Sequence, residues 1–488
     1  MNFFNIKPFL NKKSLGMALF GFSAGLPLLL IFSTLSVWLV KAGVERSTIT
    51  LFSWAGFAYS FKFLWTPIVD HCNLPVLYRM GHRRSWLLLS QLMIIISIFI
   101  TSLTDPSKNL LYTAMGIVLI AFSSATQDIV IDAFRIESGT IKKQGALSSM
   151  YLAGYRIAMI ISGAGSLWLA SYFGAETYDV DTWRKVYQIM GCLMLVGIFA
   201  TLISKEPSIK KNKTSSQVKF LLVLILAIIV FFLCYNFLPE IFFEKSILLS
   251  SLDSLLRITI SFGSALLTLL FFSKIKIISM DKAKLAYVEP IRDFFQRYKK
   301  VALFILMLIG LYRIADIVMG IMANVFYLEK GYKIEEIATY SKFFGLFATI
   351  LGGFLGGFYS MRKGVIQSLL VGAIVAALSN VLFAWLAITD INILFLIIVI
   401  TADNIASGFA GASFVVYLSS LTSIKFTATQ YALFSSIMLF LPKLIAGYAG
   451  GMVDAIGYPF FFIFTAILGV PVLFLIYFIK DITIKKNR

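Results

Sequence analysis

Two histidines and three cysteines are all that this 488-residue chain offers of those types. Both histidines, His71 and His82, fall in one short basic loop, which excludes a histidine metal site or a histidine proton relay inside the apolar runs. Cys192 and Cys234 lie in apolar runs and Cys72 in that loop, so no disulfide framework is expected. Charge is scarce as well: Asp, Glu, Lys and Arg make up 14% of the residues, against about 25% in a soluble domain. No P-loop, GxSxG, HExxH or CxxC motif occurs, which removes ATP hydrolysis and nucleophilic catalysis. The chain is expected to be no enzyme and to need neither cofactor nor metal.

Apolar residues are what the chain has, at 59%. A membrane-crossing helix needs roughly 20 of them in succession. Runs of that kind lie near 14–40, 48–69, 85–104, 110–134, 146–173, 186–204, 219–238, 247–273, 301–327, 336–359, 365–388, 391–420, 428–453 and 457–480. The first follows a basic start, MNFFNIKPFLNKK, and is too long for a cleaved signal sequence. The reading is an all-α integral membrane protein with 14 transmembrane helices.

Net charge is +19, but the basic residues sit in short loops and at the ends rather than in one patch. That distribution fits topology and not nucleic-acid binding. Lys7, Lys12, Lys13, Arg79, Arg83, Arg84, Arg135, Lys142 and Lys143 fall on one side. The linker lysines Lys205, Lys210, Lys211 and Lys213, the stretch 274–300, and Lys485, Lys486 and Arg488 fall there too. Both termini are expected on the cytoplasmic side.

The two groups of six spans resemble each other. Ala42-Gly43 before ERSTITLF matches Lys330-Gly331 before KIEEIATY, 288 positions later. KKQGALSSM at 142–150 matches TATQYALFSS at 427–436, near an offset of 286. A duplicated six-helix unit in parallel orientation is the architecture of the major facilitator fold, two pseudo-symmetric six-helix bundles. The expected division is an N-terminal bundle at 1–204, then a linker, two inserted helices and a cytoplasmic loop at 205–300, then a C-terminal bundle at 301–488. Within the loop, VEPIRDFFQRYKK reads equally as an amphipathic surface helix or an ordinary basic loop.

A charge inside the bilayer costs about 2.5–3.5 kcal/mol on insertion scales and is a functional candidate by default. In SSATQDIVIDAFRIE, Asp128, Asp132 and Arg135 share one helix face at i, i+4 and i+7. Asp132 and Arg135 sit near the helix end and read as gate or structural pair. Asp128 lies roughly 10 Å deeper at 1.5 Å per residue. It is a candidate proton carrier, with Arg156 or Arg135 as its cation, or one partner of a permanent salt bridge. Asp403 and Asp316 stand behind it as proton candidates. Arg156 and its counterpart Lys443 in FLPKLIAGYAGG, with Arg313 and Lys62, suit an anionic substrate. Asp253 and Arg257 are spaced to neutralise each other. Gly25-Leu26-Pro27 is expected to loosen the first span, and the glycines at 352–357 to mark a close helix crossing.

These residues carry a resemblance. FSAGLPLLLIFSTLSVWL (22–39), FAYSFKFLWTPIVDH (57–71), GHRRSWLL (81–88), SSATQDIVIDAFR (123–135) and GALSSMYLAGYRIAMIISG (145–163) are similar to the bacterial AmpG muropeptide permeases. DNIASGFAGASFVVYLSSL (403–421) and FTATQYALFSS (426–436) resemble the same family, so the likeness spans both halves. It implies import of N-acetylglucosamine linked to 1,6-anhydro-N-acetylmuramic acid, with or without a short peptide, across the bacterial inner membrane by proton symport, for wall recycling. Tyr155, Tyr312, Trp38, Asn404 and Gln127 would then face the sugars. The expected partners are the bilayer, the small glycopeptide and protons, with no nucleic acid, and the carrier a monomer. Eukaryotic acetyl-CoA transporters are related, which leaves a nucleotide-like anion as the alternative cargo; a membrane-embedded transferase is the third reading. The wider superfamily places Asp a few residues before Gly-Arg-Arg. Here HCNLPVLYRM separates Asp70 from Gly81-His82-Arg83-Arg84, so the gate geometry expected of Asp70, Arg83 and Arg84 does not follow from the motif alone.

Overall fold

With no water to bond a bare backbone in hydrocarbon, a chain this apolar satisfies its N–H and C=O groups within helices. The computed structural model describes residues 6–486, apart from 46–47, 50–51, 75, 175–177, 208–217, 240–246, 276–283 and 447, and those residues contain no strand. The first half is built on α1 (Lys12–Ile31), α2 (His82–Ser102), α3 (Leu110–Glu137), α4 (Ile141–Ile160) and α5 (Val180–Leu193). Then come α6 (Val218–Phe237), α7 (Ile247–Lys274) and the short α8 (Glu289–Tyr298). The second half holds α9 (Ala302–Leu311), α10 (Ile314–Lys330), α11 (Gly345–Lys363), α12 (Val365–Ile388), α13 (Ile393–Leu421), α14 (Thr427–Ala446), α15 (Ala449–Leu468) and α16 (Val470–Lys486).

Eleven helical runs among the described residues are long and apolar enough to cross a membrane. They correspond to all the expected spans but the second, seventh and eighth. The second is not one helix. Residues 52–71 form two short α-helical pieces, Phe57–Phe61 and Thr66–His71, joined by 3-10 turns at Phe52–Gly56 and Lys62–Leu64. The seventh and eighth are α6 and α7, which pack on each other. Arg257 joins them, donating to the Tyr235 carbonyl at 2.8 Å and lying over the Tyr235 ring at 5.1 Å.

Two expectations about helix breaks need correction or confirmation. Gly25-Leu26-Pro27 itself stays helical, since α1 runs through Pro27, but the first span does break about one turn later, at Phe32, before a second helix at Ser33–Lys41. Gly25 serves a different purpose, because a side chain there would collide with the Tyr155 carbonyl of α4. The ninth expected span, 301–327, does break, between α9 and α10 at Tyr312 and Arg313. The glycines of α11 do mark a close crossing, since Cβ atoms at Gly352 and Gly356 would meet backbone of α13. VEPIRDFFQRYKK does form an amphipathic helix, α8. It is seated on protein rather than loose, with Phe294 buried against Phe434 of α14 at 5.2 Å between ring centroids.

Each half carries one hydrophobic cluster near its basic end and another at the opposite end. The halves meet where α4 packs on α11 and α13, and where α3 and the segment Thr66–His71 pack on α14. That seam positions the polar residues described next.

Candidate functional site

The polar residues of the seam form two layers. At the basic end, Asp70 closes the break before α2. Its Oδ1 accepts from Arg83 Nη2 at 2.7 Å. Across the seam, Oδ2 accepts from the Thr429 amide at 2.8 Å and the Thr429 hydroxyl at 2.9 Å, in the first turn of α14. A carboxylate from one half therefore caps a helix of the other, satisfying its orphan amides and its positive dipole end. Arg83, 1% exposed, also donates to Glu137 at 2.7 and 3.1 Å. The long spacer between Asp70 and Arg83 thus does not prevent their pairing, and Trp86 Nε1 donates to the Cys72 carbonyl at 2.8 Å.

Arg135 makes the second bridge. Fully buried, it reaches Asp132 at 3.2 Å, Gln144 at 3.2 Å and Ser148 at 3.1 Å on its own side. On the other side it donates to Ser419 at 2.8 Å and lies 5.2 Å from the Tyr431 ring centroid. Ser149 adds a third, donating to the Gly353 carbonyl at 2.7 Å. Gly145 and Gly357 allow the approach, because a Cβ on either would strike the other's carbonyl.

Arg84 does not take the gate role expected of it. It donates to the Thr201, Leu202 and Met80 carbonyls, all within the first half. Lys62, expected near substrate, is 7% exposed and pairs with Asp132 at 3.8 Å. Glu206 was not singled out from sequence. It accepts from the Arg83 and Arg84 amides at 2.8 and 3.0 Å, capping α2. Burial raises its carboxyl above the usual range, against the pull of those amides and of Arg83.

The second layer is central. Arg156 of α4 and Arg313, at the break before α10, line one cavity of about 50 Å³ with Ser149, Thr349, Ser407 and Gly411. A one-turn π-helix, Ile161–Gly165, follows α4 directly beyond Arg156. Arg313 Nε donates to Asp316 Oδ2 at 2.9 Å, and Ser407 Oγ donates to the same oxygen at 3.4 Å. Arg156 has no carboxylate within ion-pair distance among the described residues; its contact is the Met159 sulfur at 3.8 Å. Asp403 accepts from Ser379 at 3.1 Å and lies within electrostatic reach of Asp316 and Arg313. Asn404 accepts from Thr349 at 2.8 Å and donates to the Ile400 carbonyl at 2.8 Å.

Between the layers, Asp128 keeps one buried oxygen, Oδ1, without a hydrogen-bond partner. Lys62 and Asp132 act on it electrostatically, and it acts on Tyr59, Tyr151 and Tyr155. The cations expected to pair with it are engaged elsewhere: Arg135 with Asp132, and Arg156 facing the cavity.

Three residues expected to face sugars belong to the packing. Trp38 is fully buried, stacked on Trp183 at 6.0 Å and against Tyr187 at 4.9 Å. Gln127 is fully buried and exchanges two hydrogen bonds with Ser23 of α1 at 2.7 and 3.0 Å. Tyr312 stacks on Phe414 at 4.5 Å and donates to the Leu369 carbonyl at 3.1 Å. The Lys443 side chain and the linker residues Lys210, Lys211 and Lys213 lie outside the described set.

The comparisons with known proteins agree with this architecture. The Major Facilitator Superfamily matches residues 14–447. Over 461 residues the chain is 30% identical to the putative transporter AmpG 4 of Rickettsia conorii, covering 94% of each. It is 29% identical over 474 residues to the anhydromuropeptide permease of Escherichia coli K12, covering 96% of this chain and 80% of that one. FucP, a Major Facilitator Superfamily transporter solved in the outward conformation, superposes with a TM-score of 0.62 at 11% identity, over 96% of this chain and 99% of that one. A chain of two facing helical halves, sealed at one end and holding cations at its centre, belongs to the Major Facilitator Superfamily, in its AmpG family, and is a membrane transporter rather than an enzyme.

Proposed function

We propose that this transporter imports anhydro-muropeptides, with or without peptide, across a bacterial inner membrane by proton symport. The observation that carries the anionic part of this reading is Arg156, a cavity-lining cation with no carboxylate partner among the described residues, facing Arg313 from the other half. A guanidinium in a low-dielectric interior is costly until an anion joins it. The carboxylates of a muramyl unit and its peptide are such anions. The relative named an anhydromuropeptide permease, aligned over 96% of this chain, supports the sugar part.

The basic end is the cytoplasmic end in this reading, because Lys and Arg are retained there during insertion. The bridges at Asp70 and Arg135 then form a shut cytoplasmic gate. A cavity of about 50 Å³ holds a few waters and no disaccharide. The halves must therefore part for cargo to enter. Asp128 is the first proton candidate, with Asp316 and Asp403 behind it.

Uptake of a radiolabelled disaccharide-tripeptide into proteoliposomes, with and without an inward proton gradient, tests the reading. Accumulation that requires the gradient is expected. Uptake of acetyl-CoA in its place, with none of the muropeptide, would overturn it.

A further inference from the structure

Arg156 and Arg313 line the same cavity, yet only one is neutralised. Arg313 holds Asp316 from the first turn of its own helix, whereas Arg156 holds no carboxylate among the described residues. Asp316 is further anchored by Ser407. Among the described residues, then, one of the two guanidiniums holds a carboxylate and the other holds none, and they are set on opposite halves.

We propose that Asp316 is a resident counter-ion for Arg313 that the cargo's own carboxylate displaces, and that the freed Asp316 takes up a proton. The proposal rests on the anionic-cargo reading and assigns the proton linked to cargo binding to the second half. The sequence of events follows from charge. A carboxylate entering the cavity first meets Arg156, which is open. Its second contact is Arg313, whose Nε and Nη2 already donate to Asp316, so the cargo carboxylate competes with Asp316 for the same edge of the guanidinium. Once Arg313 turns to the cargo, Asp316 is left beside Asp403 with no cation of its own, and a proton from the outer solution restores neutrality. Binding of one anionic group therefore brings in one proton with no change in the net charge of the site.

The groups that face Asp316 are few. Arg313 and Tyr312 come from the break, Asp403 and Ser407 from α13, and Arg156 from α4. Of the helices packed on α10, α12 has no ionisable side chain. On α14 they are Tyr431, near Arg135, and Lys443. On α15 they are Asp454 and Tyr458, the latter bonded to Glu329 at 2.8 Å toward the far end of α10.

The test is proton uptake by the purified full chain in weakly buffered detergent, read with a pH indicator. The probes are the anhydro-disaccharide-tripeptide, the same compound with every carboxylate amidated, and acetyl-CoA. Wild type should take up about one proton per bound muropeptide, by linkage, and none with the amide. Asp316→Asn should bind the muropeptide with a lower Kd and no proton uptake, and that Kd should lose the pH dependence seen in wild type. Asp316→Glu should restore proton uptake, which a merely structural role would not do. Proton uptake by Asp316→Asn equal to wild type overturns the proposal, as does an absence of uptake with every anion. If acetyl-CoA alone drives uptake that requires Asp316, the counter-ion role stands and the muropeptide reading falls.

Discussion

Buried polar atoms are the features that separate function from packing at the scale of single residues. Arg83 and Gln127 are fully buried and amply bonded, so they hold helices together. Asp128 is different, because its Oδ1 lacks a partner, and such atoms in a native interior call for an explanation. A proton supplies one without any new protein contact. Replacing Asp128 by Asn keeps the shape and removes the titrating group. Asp128→Asn is expected to retain exchange of cargo across the membrane but to lose accumulation by about tenfold or more, equivalent to roughly 1.4 kcal/mol of lost coupling. Counterflow and gradient-driven uptake measured side by side in proteoliposomes check this. Accumulation by the variant at the wild-type level would move the driving proton elsewhere.

Helices and their ends decide how the gate is built. Asp70 caps α14 from the opposite half, so the cap exists only while the basic end is shut. Loss of a capping carboxylate costs about 0.5–2 kcal/mol, which for Asp70→Ala enlarges the open population by roughly 2- to 30-fold. Hydrogen exchange at the Ala428 and Thr429 amides should accelerate accordingly, and unchanged exchange would remove Asp70 from the gate. Some of this was legible in the sequence and some was not. The repeat that paired KKQGALSSM with TATQYALFSS aligned Gln144 with Gln430. Both prove to be hubs at the starts of their helices, Gln144 on the end of α3 and Gln430 on α8 and Ser423. Charge spacing found Asp132 and Arg135. It did not find Glu206, which acts on α2 through backbone amides and leaves no periodic signal. Gly25-Leu26-Pro27 placed the break in the first span, which lies at Phe32, about a turn too early for a related reason. A glycine can mark a helix crossing as well as a break, and only the approach of Tyr155 tells them apart. Trp38 misled because an aromatic ring in an apolar run reads the same whether it faces a cavity or Trp183.

Alternating access requires the two halves to separate at the basic end at some point in each cycle, whichever residues carry the proton. The crossing of α4 with α11 is where that separation can be forbidden. Ser149 of α4 bonds the Gly353 carbonyl at 2.7 Å, and a Cβ on Gly357 would fall on the Ser149 hydroxyl. A cysteine at each of positions 149 and 357 puts two thiol-bearing side chains from opposite halves in direct contact, the proximity that disulfide formation needs. The existing Cys72, Cys192 and Cys234 are free thiols and are replaced first, so that no other pair forms. In that background, Ser149→Cys with Gly357→Cys should oxidise spontaneously and depress uptake by about tenfold or more, since a covalent tether removes the open state from the equilibrium. Reductant should restore the rate. The reference for locking is the Gly357→Cys single variant, whose Cβ meets the Gly145 carbonyl and is expected to lower activity in either redox state, so only the loss that reductant reverses reports the tether. Full uptake by the oxidised double variant would show that the basic end need not part at this crossing, and would transfer the moving element to the seam between α3 and α14.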